Sequence, residues 1–255
     1  MTPPNIVLIM ADDMGWRDLS CYGSEFHETT HIDQLYSESV AFTNAYASAP
    51  LCSATRAALL TGWAPARQHI TGVTPSTRTA STHDFVSWED AAIMNETASY
   101  PVAIPTQQGQ LPLSSITIAE RLKEAGYATG FFGKWHIGPD TDKHPQQQGF
   151  DVAKADMSLG FPKSYFSPYQ NDNLTDGLAG EQLTDRLAQE ACTFIRDSVA
   201  AEEPFFCYVP TFAVHGPYEA KQAYIDYFNG TRDESNPQNF ATYAGMIKSL
   251  DDAVG

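Results

Sequence analysis

Ile6-Val7-Leu8-Ile9-Met10 is an unbroken apolar run, rich in β-branched residues, that stops at two carboxylates, Asp12 and Asp13. A run of this length and composition reads as a strand buried on both faces, the habit of strands in parallel sheets. Residues 127–133 and 205–209 read as further apolar strands, the second set off by Pro204. Segments with helical spacing lie around them. Residues 32–40 present Ile32, Leu35 and Tyr36 on one side, and residues 114–125 present Ile116, Ala119, Leu122 and Lys123 before Gly126, a good left-handed stop. Residues 180–200 carry Leu183, Leu187, Ala191, Phe194, Ile195 and Val199 on one stripe. Residues 52–60 form a short helix, and residues 240–254 a last one with Tyr243, Met246, Ile247, Leu250 and Val254 inward. Strands alternating with helices predict an α/β fold, a mostly parallel sheet with helices on both faces. Residues 73–112 lack a strong period and read as a long irregular excursion on the active-site side.

The 255 residues are 42% hydrophobic, enough for one large core. No apolar run is long enough to cross a bilayer, and the run at residues 6–10 is too short for a signal-peptide core, so no export signal is visible. With 31 acidic residues against 15 basic ones, the net charge of −16 repels nucleic acid. An anionic ligand therefore needs a local positive cluster or a metal. Cys21, Cys52, Cys192 and Cys207 show neither close pairing nor zinc spacing, which argues against a disulfide framework.

In such sheets ligands bind beyond the carboxyl ends of the strands. That rule gathers Asp12-Asp13, Lys134-Trp135-His136 and His215, because each follows a predicted strand. Adjacent carboxylates suit a hard cation such as Ca²⁺, although Asp13 could equally cap the turn Met14-Gly15-Trp16. In extended chain Lys134 and His136 share a face while Trp135 turns into the core. A surface lysine and a core histidine would give the same pattern. Cys52 stands at a helix start with Arg56 one turn along, where unpaired N–H groups and the dipole favour an anion. A small buried hydrophobe is the plainer role for such a cysteine.

Cys52-Ser53-Ala54-Thr55-Arg56, running into Leu59-Leu60-Thr61-Gly62, resembles the sulfatase signature: cysteine, proline or alanine two residues on, then arginine and a Leu-Thr-Gly tail. Residues 4–16 look like that family's opening, Gly133-Lys134-Trp135-His136-Ile137-Gly138 like its second signature, and His215-Gly216-Pro217 like its histidine-x-proline element. The resemblance implies an alkaline phosphatase/sulfatase-like fold and a sulfuric ester hydrolase. It implies that Cys52 is oxidised to formylglycine by a maturation enzyme, and that one Ca²⁺ is held by Asp12, Asp13 and the modified Cys52. Lys134 would bind sulfate, His136 would steady the formylglycine hydroxyl, and His215 would protonate the leaving oxygen. Lys134 and Arg56 would neutralise the sulfuryl group. The substrate would be a sulfated small molecule or glycan, shaped for by residues 76–110.

Two positions depart from the family pattern: Ala54 stands for the commoner proline, and His31 where asparagine usually precedes Ile-Asp. Relatives carry further metal ligands, a second sulfate-binding lysine and a C-terminal subdomain after a helix like 240–254. Residues 1–255 are accordingly expected to be a truncated N-terminal catalytic domain, inactive alone, whose last helix bears an uncovered and aggregation-prone apolar stripe. Family members are often periplasmic, secreted or lysosomal. A phosphonate or phosphodiester hydrolase of the same superfamily, or a non-catalytic binder of sulfated glycans, are the alternatives.

Overall fold

The computed structural model describes residues 3–74, 108–138, 144–155 and 160–255. Among them the elements run β1 (Ile6–Met10), α1 (Thr30–Glu38), α2 (Cys52–Thr61), α3 (Pro65–Gln68), α4 (Ile118–Glu124), β2 (Ala128–Phe132), β3 (Val152–Lys154), α5 (Leu183–Ala200), β4 (Phe205–Pro210), α6 (Gln222–Gly230) and α7 (Ala241–Val254). The described strands form one sheet in the order β1-β4-β2-β3, parallel throughout. The expected α/β class and parallel sheet are therefore present. Most of the irregular excursion, and of the stretch expected to shape the substrate pocket, lies outside the described residues.

β4 is central and buried at every position. One of its faces meets α2 and α4 in an aromatic core of Phe131, Trp135, Phe150, Phe206 and Tyr208, with Ile6, Leu8 and Met10 of β1 packed alongside. The other face meets α5 through Phe132, Ala191, Phe194, Phe205, Cys207 and Val209. Here β1 departs from expectation. Among the described strands it lies at the edge, and Val7 and Ile9 are 50% and 41% exposed where α5 packs over β2 and β4. An apolar run carries no information about which strand ends the sheet.

α4 begins later than its periodicity suggests. Thr117 caps it, accepting the Glu120 N–H at 3.1 Å while Glu120 returns the bond, and Ile116 is left outside and exposed. On α1, Leu35 and Tyr36 are exposed rather than inward, and on α5 Val199 is exposed. The stripe of α7 is not bare. Met246, Ile247 and Leu250 are buried against Leu183, Leu187, Tyr165, Tyr169 and residues 212–214, with Tyr243 partly buried beside them. Elements earlier in the chain cover it, which removes the basis for the expected aggregation. The four cysteines are free, and Cys207 lies within the core.

Candidate active site

Beyond β1 and β4 the backbones stay stitched together. Thr211 N–H donates to the Met10 carbonyl (2.9 Å), Asp12 N–H to Ala213 (2.9 Å) and Val214 N–H to Asp12 (2.7 Å). Gly133 ends β2 at φ +141°, and a Cβ there would lie 2.0 Å from the Pro210 carbonyl oxygen, so only glycine permits the approach. That approach lets Lys134 N–H donate to Pro210 at 2.8 Å and carries Lys134 over the end of β4. The Lys134 side chain is fully buried, with Nζ paired to Asp12 Oδ2. From α2, Arg56 is also buried: Nη2 donates to Asp12 Oδ1 at 3.0 Å and Nη1 to the Lys134 carbonyl at 2.6 Å. One carboxylate thus binds two strand ends and a helix.

Cys52 is the first residue of α2, whose N-cap, Leu51, offers no side-chain cap. The helix start is fixed instead from within. Ser53 Oγ donates to the His136 carbonyl (2.6 Å) and accepts the Thr74 N–H (2.9 Å), while Thr74 Oγ1 donates to the same carbonyl (3.1 Å). His136 adopts φ +55°, so the chain has left the pleat, and a turn rather than strand alternation aims its side chain. Its ring lies against Gly160, where a Cβ would meet it at 2.4 Å. Trp135 points into the core as expected, edge-on to Phe131.

His215 closes the far side. Its Nδ1 lies 2.7 Å from the Gly216 carbonyl, and its Nε2 3.6 Å from Asp13 Oδ2. Ligand atoms of Asp12, Cys52 and His215 all fall within 4.8 Å of one another. Asp13 is exposed at φ +56°. Asp18, rather than Asp13, holds the turn that follows, accepting the Gly15 N–H at 2.8 Å.

The charges are set by these neighbours. Burial would raise the Asp12 pKa, but Arg56 and Lys134 outweigh it and hold the carboxyl below its ordinary range. Burial pushes the Cys52 thiol up, and Asp12 and Asp13 reinforce this against Lys134. An unmodified Cys52 is therefore a thiol and a weak nucleophile. Burial, with Lys134 and Arg56, lowers His136 to about 3, leaving a neutral imidazole whose Nδ1 is buried without a partner.

The structure thus brings Asp12, Cys52, Arg56, Lys134, His136 and His215 to one end of the sheet, with Asp13 at its rim. Arg56 does not face open space. Two of its nitrogens are committed to Asp12 and Lys134, which makes it a clamp. Asp12 and Asp13 suit a hard cation in kind, and each Asp12 oxygen keeps a lone pair beyond its cation partner. Ser53 and Thr74, which fix the helix start, were not singled out by the sequence. Ser53 lies inside the cysteine motif, whereas nothing marks Thr74.

The Sulfatase family matches residues 4–255. The chain is 34% identical to N-acetylgalactosamine-6-sulfatase of Rattus norvegicus, over 99% of its own length and 45% of that protein's. It is 32% identical to human arylsulfatase A, over 99% and 47%. It superposes on the crystal structure of Ps i-CgsB with a TM-score of 0.74 and 29% identity, covering 99% of this chain and 53% of that one. The chain spans about half the length of the curated relatives it matches.

Proposed function

This chain belongs to the sulfatase family, and from that premise we propose that the whole protein hydrolyses sulfate esters, with position 52 as its nucleophile. The carrying observation is Cys52 at the uncapped start of α2, its sulfur within 4.8 Å of ligand atoms of Asp12 and His215 and near the buried cation of Lys134. Burial, with Asp12 and Asp13, raises the Cys52 thiol pKa, which speaks against direct thiolate attack, and the Cys52–Arg56 motif supports conversion of position 52 to formylglycine by a maturation enzyme. Hydrated formylglycine would supply one hydroxyl to attack sulfur and a second to release sulfate.

The chain's own residues then divide the work. Lys134 places a positive charge where sulfuryl oxygens gather, in a site too buried for water to screen it. Arg56 fixes Asp12 and Lys134 relative to each other. Neutral His136 accepts from or donates to the hydroxyl at position 52 without adding charge. His215 delivers a proton to the departing alcohol oxygen. Asp12, Asp13 and the position-52 oxygen are the ligands we assign to calcium, which when bound would act as a Lewis acid on the sulfuryl oxygens. A carbohydrate sulfate is the substrate class favoured by the name of the rat relative.

The test pairs 4-nitrophenyl sulfate with the matching phosphate and phosphonate esters on the whole protein, with peptide mass analysis of position 52. Faster turnover of the sulfate, together with formylglycine at position 52, is expected. Preference for the phosphonate or phosphate would reassign the reaction. Unmodified cysteine without turnover, together with measured binding of a sulfated glycan, would favour a binder.

A further inference from the structure

We propose that Tyr165 is a positioning residue for His215, its buried hydroxyl fixing the turn from which the imidazole reaches the nucleophile. This rests on the sulfate-ester reading above. His215 ends a turn closed by its own N–H to the Phe212 carbonyl at 2.9 Å. One side of the turn is stitched to Asp12 through residues 213 and 214. Tyr165 holds the other side. Its hydroxyl lies 2.7 Å from the carbonyl oxygens of both Phe212 and His215, so one shared proton spans the first and last residues of the turn.

Tyr165 is itself anchored. Its N–H donates to Glu219 Oε2 at 2.8 Å, and its carbonyl accepts the Leu183 N–H at 2.8 Å, tying it to the start of α5. Nearby, the Phe161 ring lies 16° from parallel to the His215 imidazole, centroids 6.2 Å apart. Segment 161–165 therefore grips residues 212–219 at the ring, the turn and the Glu219 carboxylate. Phenylalanine would fill the same space but take the donor from both carbonyls of a turn whose residues 212–214 are buried.

If His215 donates to the leaving oxygen, a loosened turn should hurt the esters that most need the proton. Nitrophenolate departs with little help, whereas a more basic phenol does not. A misplacement of about 1 Å costs up to roughly 100-fold. The experiment is a Tyr165→Phe variant of the whole protein assayed on aryl sulfates from 4-nitrophenyl to 4-methoxyphenyl. The ratio of their kcat values should steepen by about 10-fold, with KM nearly unchanged. That ratio is independent of how much protein is folded, so a purely structural defect would not move it.

His215→Ala is the control and should steepen the series further. A steepened series in His215→Ala with an unchanged one in Tyr165→Phe overturns the positioning role. A flat series in His215→Ala overturns the acid assignment instead, and absence of turnover on every ester in the parent overturns the sulfate-ester reading. Should Tyr165→Phe not accumulate, Glu219→Ala removes the acceptor of the Tyr165 N–H altogether and should steepen the series by a few-fold, and no change there also overturns the proposal.

Discussion

Among the described residues, two clusters bring a histidine, one or two carboxylates and a lysine close together. One is Asp12, Cys52 and His215 with Lys134 at the sheet end; the other is His31, Asp251 and Asp252 with Lys248 between α1 and α7. By inventory either group could seat an ion. They differ in how they are assembled. Lys248 pairs with Asp251 and Asp252 from the same helix, three and four residues on, while Asp251 accepts the Ile32 N–H at 2.9 Å and Asp252 accepts from the Tyr224 hydroxyl. Every acid there ties one helix to another. At the sheet end the partners come from three strand ends and a helix start, the cations are buried, and Arg56 Nε and His136 Nδ1 are left without partners. The sheet-end group is thus held by buried contacts between distant segments, the other by pairs along and between neighbouring helices.

The largest effect that sharpens this contrast is at position 52. Cys52→Ala should abolish sulfate-ester turnover by the whole protein while lowering the unfolding midpoint by no more than a few degrees, because only a half-buried sulfur is removed. Turnover surviving in Cys52→Ala, with contaminating activity excluded, would take the nucleophile away from this cluster.

Lys134→Met comes next. It leaves Asp12 buried with Arg56 alone, and breaking one partner of a buried pair costs about 3–5 kcal/mol. Turnover should fall roughly 1,000-fold or more if Lys134 stabilises transition-state charge. Denaturant unfolding and initial-rate assays on the same samples separate the two losses. A variant as stable as the parent would show that Asp12 finds another cation.

How much of this was legible follows from what a sequence carries. The strand run at residues 6–10, the buried run at 205–209 and the Cys52–Arg56 motif report local composition, and the strand-end rule assembled the cluster from them. The exposure of Val7 and Ile9 among the described residues was not legible, since it depends on which strands α5 covers. Nor was the burial of Met246 and Leu250 by residues far back in the chain. Tyr165 and Thr74 act through long-range hydrogen bonds, and a tyrosine or threonine in a loop announces nothing of its partners.

His136 gives a pH test of the same burial. Burial first, then Lys134 and Arg56, keep its imidazole neutral down to about pH 3, whereas an unfolded chain takes up the proton near pH 6.5. Between these values the unfolded state binds more protons. Stability therefore rises with pH across that window, by up to about 1.4 kcal/mol per unit, and levels off above it. His136→Gln removes this contribution, so the slope of unfolding free energy between pH 4 and 6 should be shallower than in the parent. Equal slopes would mean that the imidazole is solvated or charged in the folded protein.

The smallest effect belongs to the other cluster and tests the contrast from its weak side. Lys248 is partly exposed, and its bonds to Asp251 and Asp252 are local pairs along α7. Such pairs are worth about 0.3–0.5 kcal/mol and weaken with salt. Lys248→Ala leaves Asp251 bonded to the Ile32 N–H and Asp252 to Tyr224, so the tether between helices survives. Unfolding should shift by less than about 1 kcal/mol, by less still in high salt, and turnover of aryl sulfates should be unchanged. A loss as large as that of Lys134→Met would mean that assembly from distant strand ends is no guide to where this molecule concentrates its electrostatics.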